Sequence, residues 1–142
     1  MRKLVIFGGS GIGMIAASVA EDNKSHVIEG FLNDVIPVGE LIGKYRQFPV
    51  IGNSADYQNY LNDPMVDFFI GYVGMKNEKD VFDKIKKINI PSDRWATLIH
   101  SSAIIPQGYC KIGKGVLISP LCQLSADTTV SDNCILLPNS FL

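Results

Sequence analysis

Apolar and polar positions follow two different rhythms along this 142-residue chain, and the change falls near Ala96. Before it, LVIF from Leu4 to Phe7 is an uninterrupted apolar run that leads into glycines, the pattern of a strand buried on both faces. IGMIAASVAEDN then sets Ala, Met and Val on one side at helical spacing, with Asp22 and Asn23 closing the helix. HVIEGFLND reads as a second strand with its polar end at Asn33 and Asp34. A strand, helix and strand within about thirty residues predict a parallel pair joined by a right-handed crossover.

Residues 35 to 48 (VIPVGELIGKYRQF) show no clean period and read as a loop or irregular segment before PVIG. SADYQNYLND reads as a helix with Ser54 as its N-cap. VDFFIGYV is a strongly apolar strand, and NEKDVFDKIKKINI is an amphipathic helix with Val81, Phe82, Ile85 and Ile88 on one side. These elements make an α/β, Rossmann-like domain with a parallel sheet, assigned to residues 1–93.

From Ala96 onward the period is six. Ile112, Ile118, Leu124, Val130, Leu136 and Leu142 are all aliphatic, and two positions before each stand Cys110, Val116, Cys122, Thr128, Cys134 and Ser140. Gly113, Ser119, Ser125, Ser131 and Pro138 occupy places suited to corners. An aliphatic and a small residue in fixed phase every six positions predict the hexapeptide coils of a parallel β-helix. Three faces close a coil, so each aliphatic side chain is expected to stack on its equivalent eighteen residues later: Ile112 on Val130, Ile118 on Leu136, Leu124 on Leu142. A coil buries little by itself, and stacking supplies its stability.

Composition narrows the function classes. A formal net charge of −1 and a pI near 6.1 give no basic footprint for nucleic acid or an anionic membrane. Leu4 to Ala20 carries no charge, but it is short for a span and holds four glycines, so the cytoplasm is the expected location. The three cysteines lie twelve apart, as two hexapeptides dictate. Without a close pair such as CxxC they are read as packing residues, with no metal. His26 is read as a surface residue and His100 as structural.

The stretch GGSGIG, Gly8 to Gly13, opens the candidate chemistry. A glycine turn between a strand and a helix aims backbone N–H groups from Ser10 to Gly13 at an anion. The strict GxGxxG spacing fails, since Gly9 and Gly11 fit but the last position is Met14. A tight turn without ligand, a phosphate cradle for a nucleotide sugar, and an NAD site with an acid about twenty residues on all stay open at this point.

Taken together, GGSGIG (8–13), GFLND (30–34), FFIGYVG (68–74), LIHSSAIIP (98–106) and the repeats after Lys111 resemble the sugar acetyltransferases of the PglD and NeuD type. The resemblance implies that residues 96–142 are the first coils of a left-handed β-helix of the kind that assembles as a trimer. It implies transfer of an acetyl group from acetyl-CoA to a UDP-, GDP- or dTDP-linked amino sugar, in surface-glycan biosynthesis. Gly8, Gly9, Ser10, Gly11, Ile12 and Gly13 would then receive the diphosphate, Asn33 and Asp34 would lie near the base or ribose, and Gly71 would complete the site. The family's catalytic histidine is expected just past Leu142, so this chain is expected to bind the nucleotide sugar without acetylating it.

Overall fold

The computed structural model describes residues 1–72 and 78–142, and for 78–82 the backbone alone. Val73 and Gly74, expected to end FFIGYVG, and the side chains of Val81 and Phe82 lie outside the described residues. In chain order the elements of the first region are β1 (Arg2–Phe7), α1 (Ile12–Asp22), β2 (His26–Leu32), β3 (Leu41–Ile42), β4 (Phe48–Gly52), α2 (Tyr57–Leu61), β5 (Val66–Ile70) and α3 (Glu78–Lys87). The strands form one sheet in the order β3-β4-β2-β1-β5, parallel except for β3, which runs antiparallel to β4.

The unbroken apolar run in β1 follows from burial on both faces. Leu4 and Ile6 pack with Phe31, Phe69 and the Ala16, Ala17, Val19 and Ala20 face of α1. Val5 and Phe7 pack on the other side with Leu32, Phe68 and Tyr57. All four β1 residues are fully buried, so their pattern loses the alternation of a half-exposed strand.

Two local expectations change. The segment 35–48 holds β3, whose two residues pair with Pro49 and Phe48 at the sheet edge. The cap before α2 is Asn53 and not Ser54: Asn53 Oδ1 accepts from the Ala55 amide at 2.9 Å, and Asp56 reaches back to the Asn53 amide at 2.8 Å. A 3₁₀ turn over Ser54–Asp56 then leads into α2. Either residue can cap in principle; Ser54 is engaged elsewhere, by Asp34.

Beyond Ala96 the chain runs through β6 (Leu98–Ile99), β7 (Lys111–Ile112), β8 (Leu117–Ile118), β9 (Thr129–Val130) and β10 (Ile135–Leu136). These pair in parallel columns. β6, β8 and β10 form one, β7 and β9 a second, and the bridges Ile104 to Gln123 to Phe141 a third. Ile112 stands on Val130 and Ile118 on Leu136, at the offset the six-residue period predicts.

The corners fall elsewhere than the sequence suggested. Gly115, Leu121, Asp127, Asn133 and Asn139 have φ between 59° and 68°, so a left-handed residue recurs every six positions, three after each aliphatic. Asn, Asp and Gly tolerate that conformation best, which explains four of the five. Ser119 is therefore no exposed corner: it is wholly buried, its amide bonded to Leu136 O at 3.1 Å.

The two regions share one core. Ala96, Leu98 and Leu117 pack in the same cluster as Leu4, Phe31 and α1, and Ala96 N donates to Phe68 O at 2.8 Å. At the C-terminal end of α1, Asn23 Nδ2 donates to Ile99 O at 2.6 Å and Asn23 Oδ1 accepts from Ser101 N at 3.2 Å.

Candidate functional site

The carboxyl ends of β1, β2, β4 and β5 all point to one end of the sheet. Strand order reverses between β1 and β5, the switch point at which parallel sheets leave a crevice for ligands. The glycine loop lies there. Gly8 turns at φ 119° and its amide bonds Leu32 O at 2.9 Å, tying the loop across to β2. Gly71 N donates to Phe7 O at 2.7 Å. A Cβ on Gly71 would stand 2.9 Å from Phe7 O and 3.0 Å from Gly13 Cα, so loop, helix start and β5 approach closer than any side chain permits.

Gly11 has a different task. It stands at the N-cap of α1 with φ 84° and ψ −120°, and a Cβ there would meet nothing within 4 Å. Ser10 and Gly11 are exposed, and no side chain caps the helix. The first amides of α1, from Ile12 onward, have no acceptor within the helix, and the helix dipole adds partial positive charge at the same place. Gly13 is packed under this turn, where a Cβ would press on the Phe31 ring at 2.7 Å. Of the predicted loop residues, Gly8, Gly13 and Gly71 set the backbone close. Gly9, Ser10, Gly11 and Ile12 face or border the opening.

Asn33 and Asp34 stand beside this loop, but their polar atoms serve the chain. Asn33 Nδ2 donates to Gly8 O at 2.9 Å, while Asn33 Oδ1 accepts from Val35 N and Ile36 N at 2.8 and 2.7 Å. Asp34 accepts from the Ser54 amide at 2.7 Å, from the Ser54 hydroxyl at 2.9 Å, and from Lys84 Nζ at 3.1 Å. Partial burial pushes the Asp34 carboxyl up, but the two Ser54 bonds and Lys84 outweigh it, and the net result lies below the ordinary carboxylate range. An acid so engaged braces the β2 and β4 loops and offers little to the diol of a dinucleotide ribose.

Sequence reading missed Tyr72, which follows Gly71 in this crevice. Burial first, and then the Asp34 charge, push its phenol up to about 12 against the pull of Ser54. No sequence signal marks it, because its neighbours come from the β2 and β4 loops.

The two histidines lie away from the crevice. His26, expected on the surface, has a side chain just 10% exposed. His26 Nε2 meets Asp67 Oδ2 at 2.8 Å and Nδ1 meets Ser25 Oγ at 2.8 Å, while Arg2 clamps Asp67 with two bonds of 2.7 Å. Asp67, on β5 across β1 and 41 residues on, draws the ring inward. His100 joins the two regions: Nε2 meets Asp22 Oδ2 at 3.2 Å, and Nδ1 lies 2.7 Å from Ser102 Oγ and accepts from Ser102 N at 3.1 Å. Both ring nitrogens are thereby occupied. Cys122 is buried among Ile118, Leu124 and Leu136, with Cys110 and Cys134 packed against the same cluster. Among the described residues no group of acids, histidines and cysteines is arranged to hold a metal, and no helix is long and apolar enough to cross a membrane.

A mostly parallel sheet with a glycine loop at its switch point defines the class of Rossmann-like α/β domains. Within that class, the PglD N-terminal domain model matches residues 3–85, and the chain belongs to that family. No curated protein sequence matches the chain.

Solved structures share its fold over the whole length. The acetyltransferase domain of PglB from Neisseria gonorrhoeae FA1090, in complex with acetyl coenzyme A, superposes with a TM-score of 0.76 at 22% identity, covering 99% of this chain and 64% of that one. PerB from Caulobacter crescentus, in complex with CoA and GDP-perosamine, gives 0.73 at 16% identity, covering 100% and 63%. WeeI from Acinetobacter baumannii AYE gives 0.65 at 15%, covering 100% and 64%. The chain thus spans less than two thirds of each of these structures.

Proposed function

We propose that this chain carries the nucleotide-sugar site and the first coils of an acetyl-CoA-dependent acetyltransferase acting on a nucleotide-linked amino sugar. One observation carries the reading. An uncapped helix N-terminus at the switch point is joined, through the core around Leu98 and Leu117, to columns of six-residue repeats. Family membership supports it, as do the CoA and GDP-perosamine held by PerB, whose fold this chain shares.

In this reading residues 1–93 bind the nucleotide sugar, and 96–142 form the first coils of a left-handed β-helix. The amides from Ser10 to Gly13 donate to the diphosphate, while Gly8, Gly71 and Asn33 hold the loop in shape. Asp34 acts through Ser54 and Lys84 as a brace. Acetyl-CoA supplies the acyl group, and amine attack on its thioester needs a base to take the proton. His100 is not assigned that role, with Asp22 and Ser102 already on its ring. The column of Ile104, Gln123 and Phe141 exposes two large apolar side chains, 63% and 69% accessible, which a homotrimer would cover. We place the protein in the cytoplasm, where acetyl-CoA and nucleotide sugars are made.

Calorimetric titration with UDP-, GDP- and dTDP-linked sugars and with NADH tests the reading. Binding of one nucleotide sugar in preference to NADH is expected. Preferential binding of NADH, or of neither, would contradict it.

A further inference from the structure

At the carboxyl-terminal end of α1 one side chain bonds twice across the junction between the two regions. Asn23 Nδ2 donates to Ile99 O at 2.6 Å, and Asn23 Oδ1 accepts from Ser101 N at 3.2 Å. Its neighbour Asp22 meets the His100 ring at 3.2 Å, so three successive repeat residues, Ile99 to Ser101, are held by the end of one helix. The local backbone would be better served by another order of residues. Helices commonly end on a left-handed residue, for which Asn is suited and Lys is not. Here Lys24 takes that conformation, at φ 54°, while Asn23 stays right-handed at φ −74°. Asn stands one place early for the backbone, at the place from which its side chain reaches Ile99 and Ser101.

Apolar packing between the regions does not fix the angle at which they meet. Ala96, Leu98 and Leu117 join the core of the first region by burial, which is strong but non-directional. The Ala96 amide on Phe68 O, at 2.8 Å, ties the chain to β5 at one point. One point leaves rotation about it. The two bonds of Asn23, at the end of α1, remove that freedom, because hydrogen bonds weaken steeply when their direction is lost.

We infer that Asn23 is a positioning residue: it sets the tilt of α1 against the coils, and through α1 the place at which the acceptor sugar is presented to them. The nucleotide-sugar reading, on which this rests, puts the diphosphate at the other end of the same helix. α1 has 11 residues, a rod of about 16 Å, so a tilt of about 4° moves its first turn by roughly 1 Å. Transfer between bound reactants needs the reacting atoms about 3–3.5 Å apart, and a displacement of about 1 Å can lower the rate a hundredfold. The amine belongs to a ligand of the first region and the base is expected in the coils, so that tolerance is kept at the joint between them.

Residual dipolar couplings of backbone amides, which report the relative orientation of the two regions, test this on the 142-residue protein and its Asn23→Ala variant. Alanine is the best helix former, so the variant keeps α1. One alignment frame is expected to fit both regions of the unaltered protein, and in the variant the two frames should diverge by about 4° or more. Calorimetric affinity for whichever of UDP, GDP and dTDP binds best should stay within about twofold, since the phosphate end of α1 is untouched. Asp67→Asn, which weakens the fold at the amino end of the sheet, is the control, and its frames should stay aligned. Frames that remain aligned in Asn23→Ala overturn the inference. So does divergence in Asp67→Asn, which would make the orientation follow from stability in general and not from Asn23. Failure of the nucleotide-sugar reading shows itself separately, as no binding of any of the three by the unaltered protein, and removes the task assigned to Asn23 with it.

Discussion

At the amino end of the sheet Arg2, Lys3, His26, Asp63 and Asp67 pair with one another, Lys3 with Asp63 at 3.0 Å and Asp67 with both Arg2 and His26. At the carboxyl end the start of α1 has no side-chain cap and the space above Gly11 is open. The same strands therefore carry a closed end and an open one. The charged residues of the closed end, which draw the eye in a search for function, are spent on stability. What marks the open end is backbone, the first helical amides that the chain leaves without a side-chain acceptor.

Breaking the close approach at the open end should have the largest effect. Gly71→Ala would press a methyl against Phe7 O and Gly13, and should cost about 2–3 kcal/mol in chemical denaturation, the range of overpacking. Binding would fall with it, since loop and helix start move together.

Next comes the closed end. Burial pushes the Asp67 carboxyl up, but Arg2 and His26 pull it further down, leaving it below the ordinary range. A carboxylate lowered in the folded state stabilises above its unfolded value, about 3.9, and the gain is lost as pH falls through the folded value. Asp67→Asn should therefore cost about 1.5 kcal/mol at pH 7, the lower end for hydrogen bonds to a charged group, and nothing in strong acid. Denaturation curves across pH check this. Nucleotide affinity at neutral pH should not change.

Gly11→Ala should have the smallest effect on stability and sharpen the contrast most. The methyl meets no neighbour, so the cost is the strained backbone alone, about 1 kcal/mol. Nucleoside diphosphate affinity should fall all the same, because the added methyl faces the opening and disturbs the amides that take the phosphates. Parallel melting and calorimetry would separate the two effects.

How legible these regions were depends on whether the cause is local. The six-residue period was readable because Ile112, Ile118 and their successors must each stack on a copy of the same position. The phase of the corners was not, since serines at 119, 125 and 131 suit a turn as well as the residues at 121, 127 and 133 that make it. Leu121, at φ 62°, carries no turn signal at all. The glycine loop was readable because close backbone approach has one chemical solution. The burial of His26 and the engagement of Asp34 were hidden, as Asp67 arrives from β5, Ser54 from the turn before α2 and Lys84 from α3.

The claim that the carboxyl end is the ligand end is tested most directly by following backbone amide resonances while the nucleoside diphosphate that binds best is titrated in. The account predicts shifts concentrated at Gly9 to Gly13, with Arg2, His26 and Asp67 unmoved. Shifts gathered at the amino end, around His26 and Asp67, would contradict it.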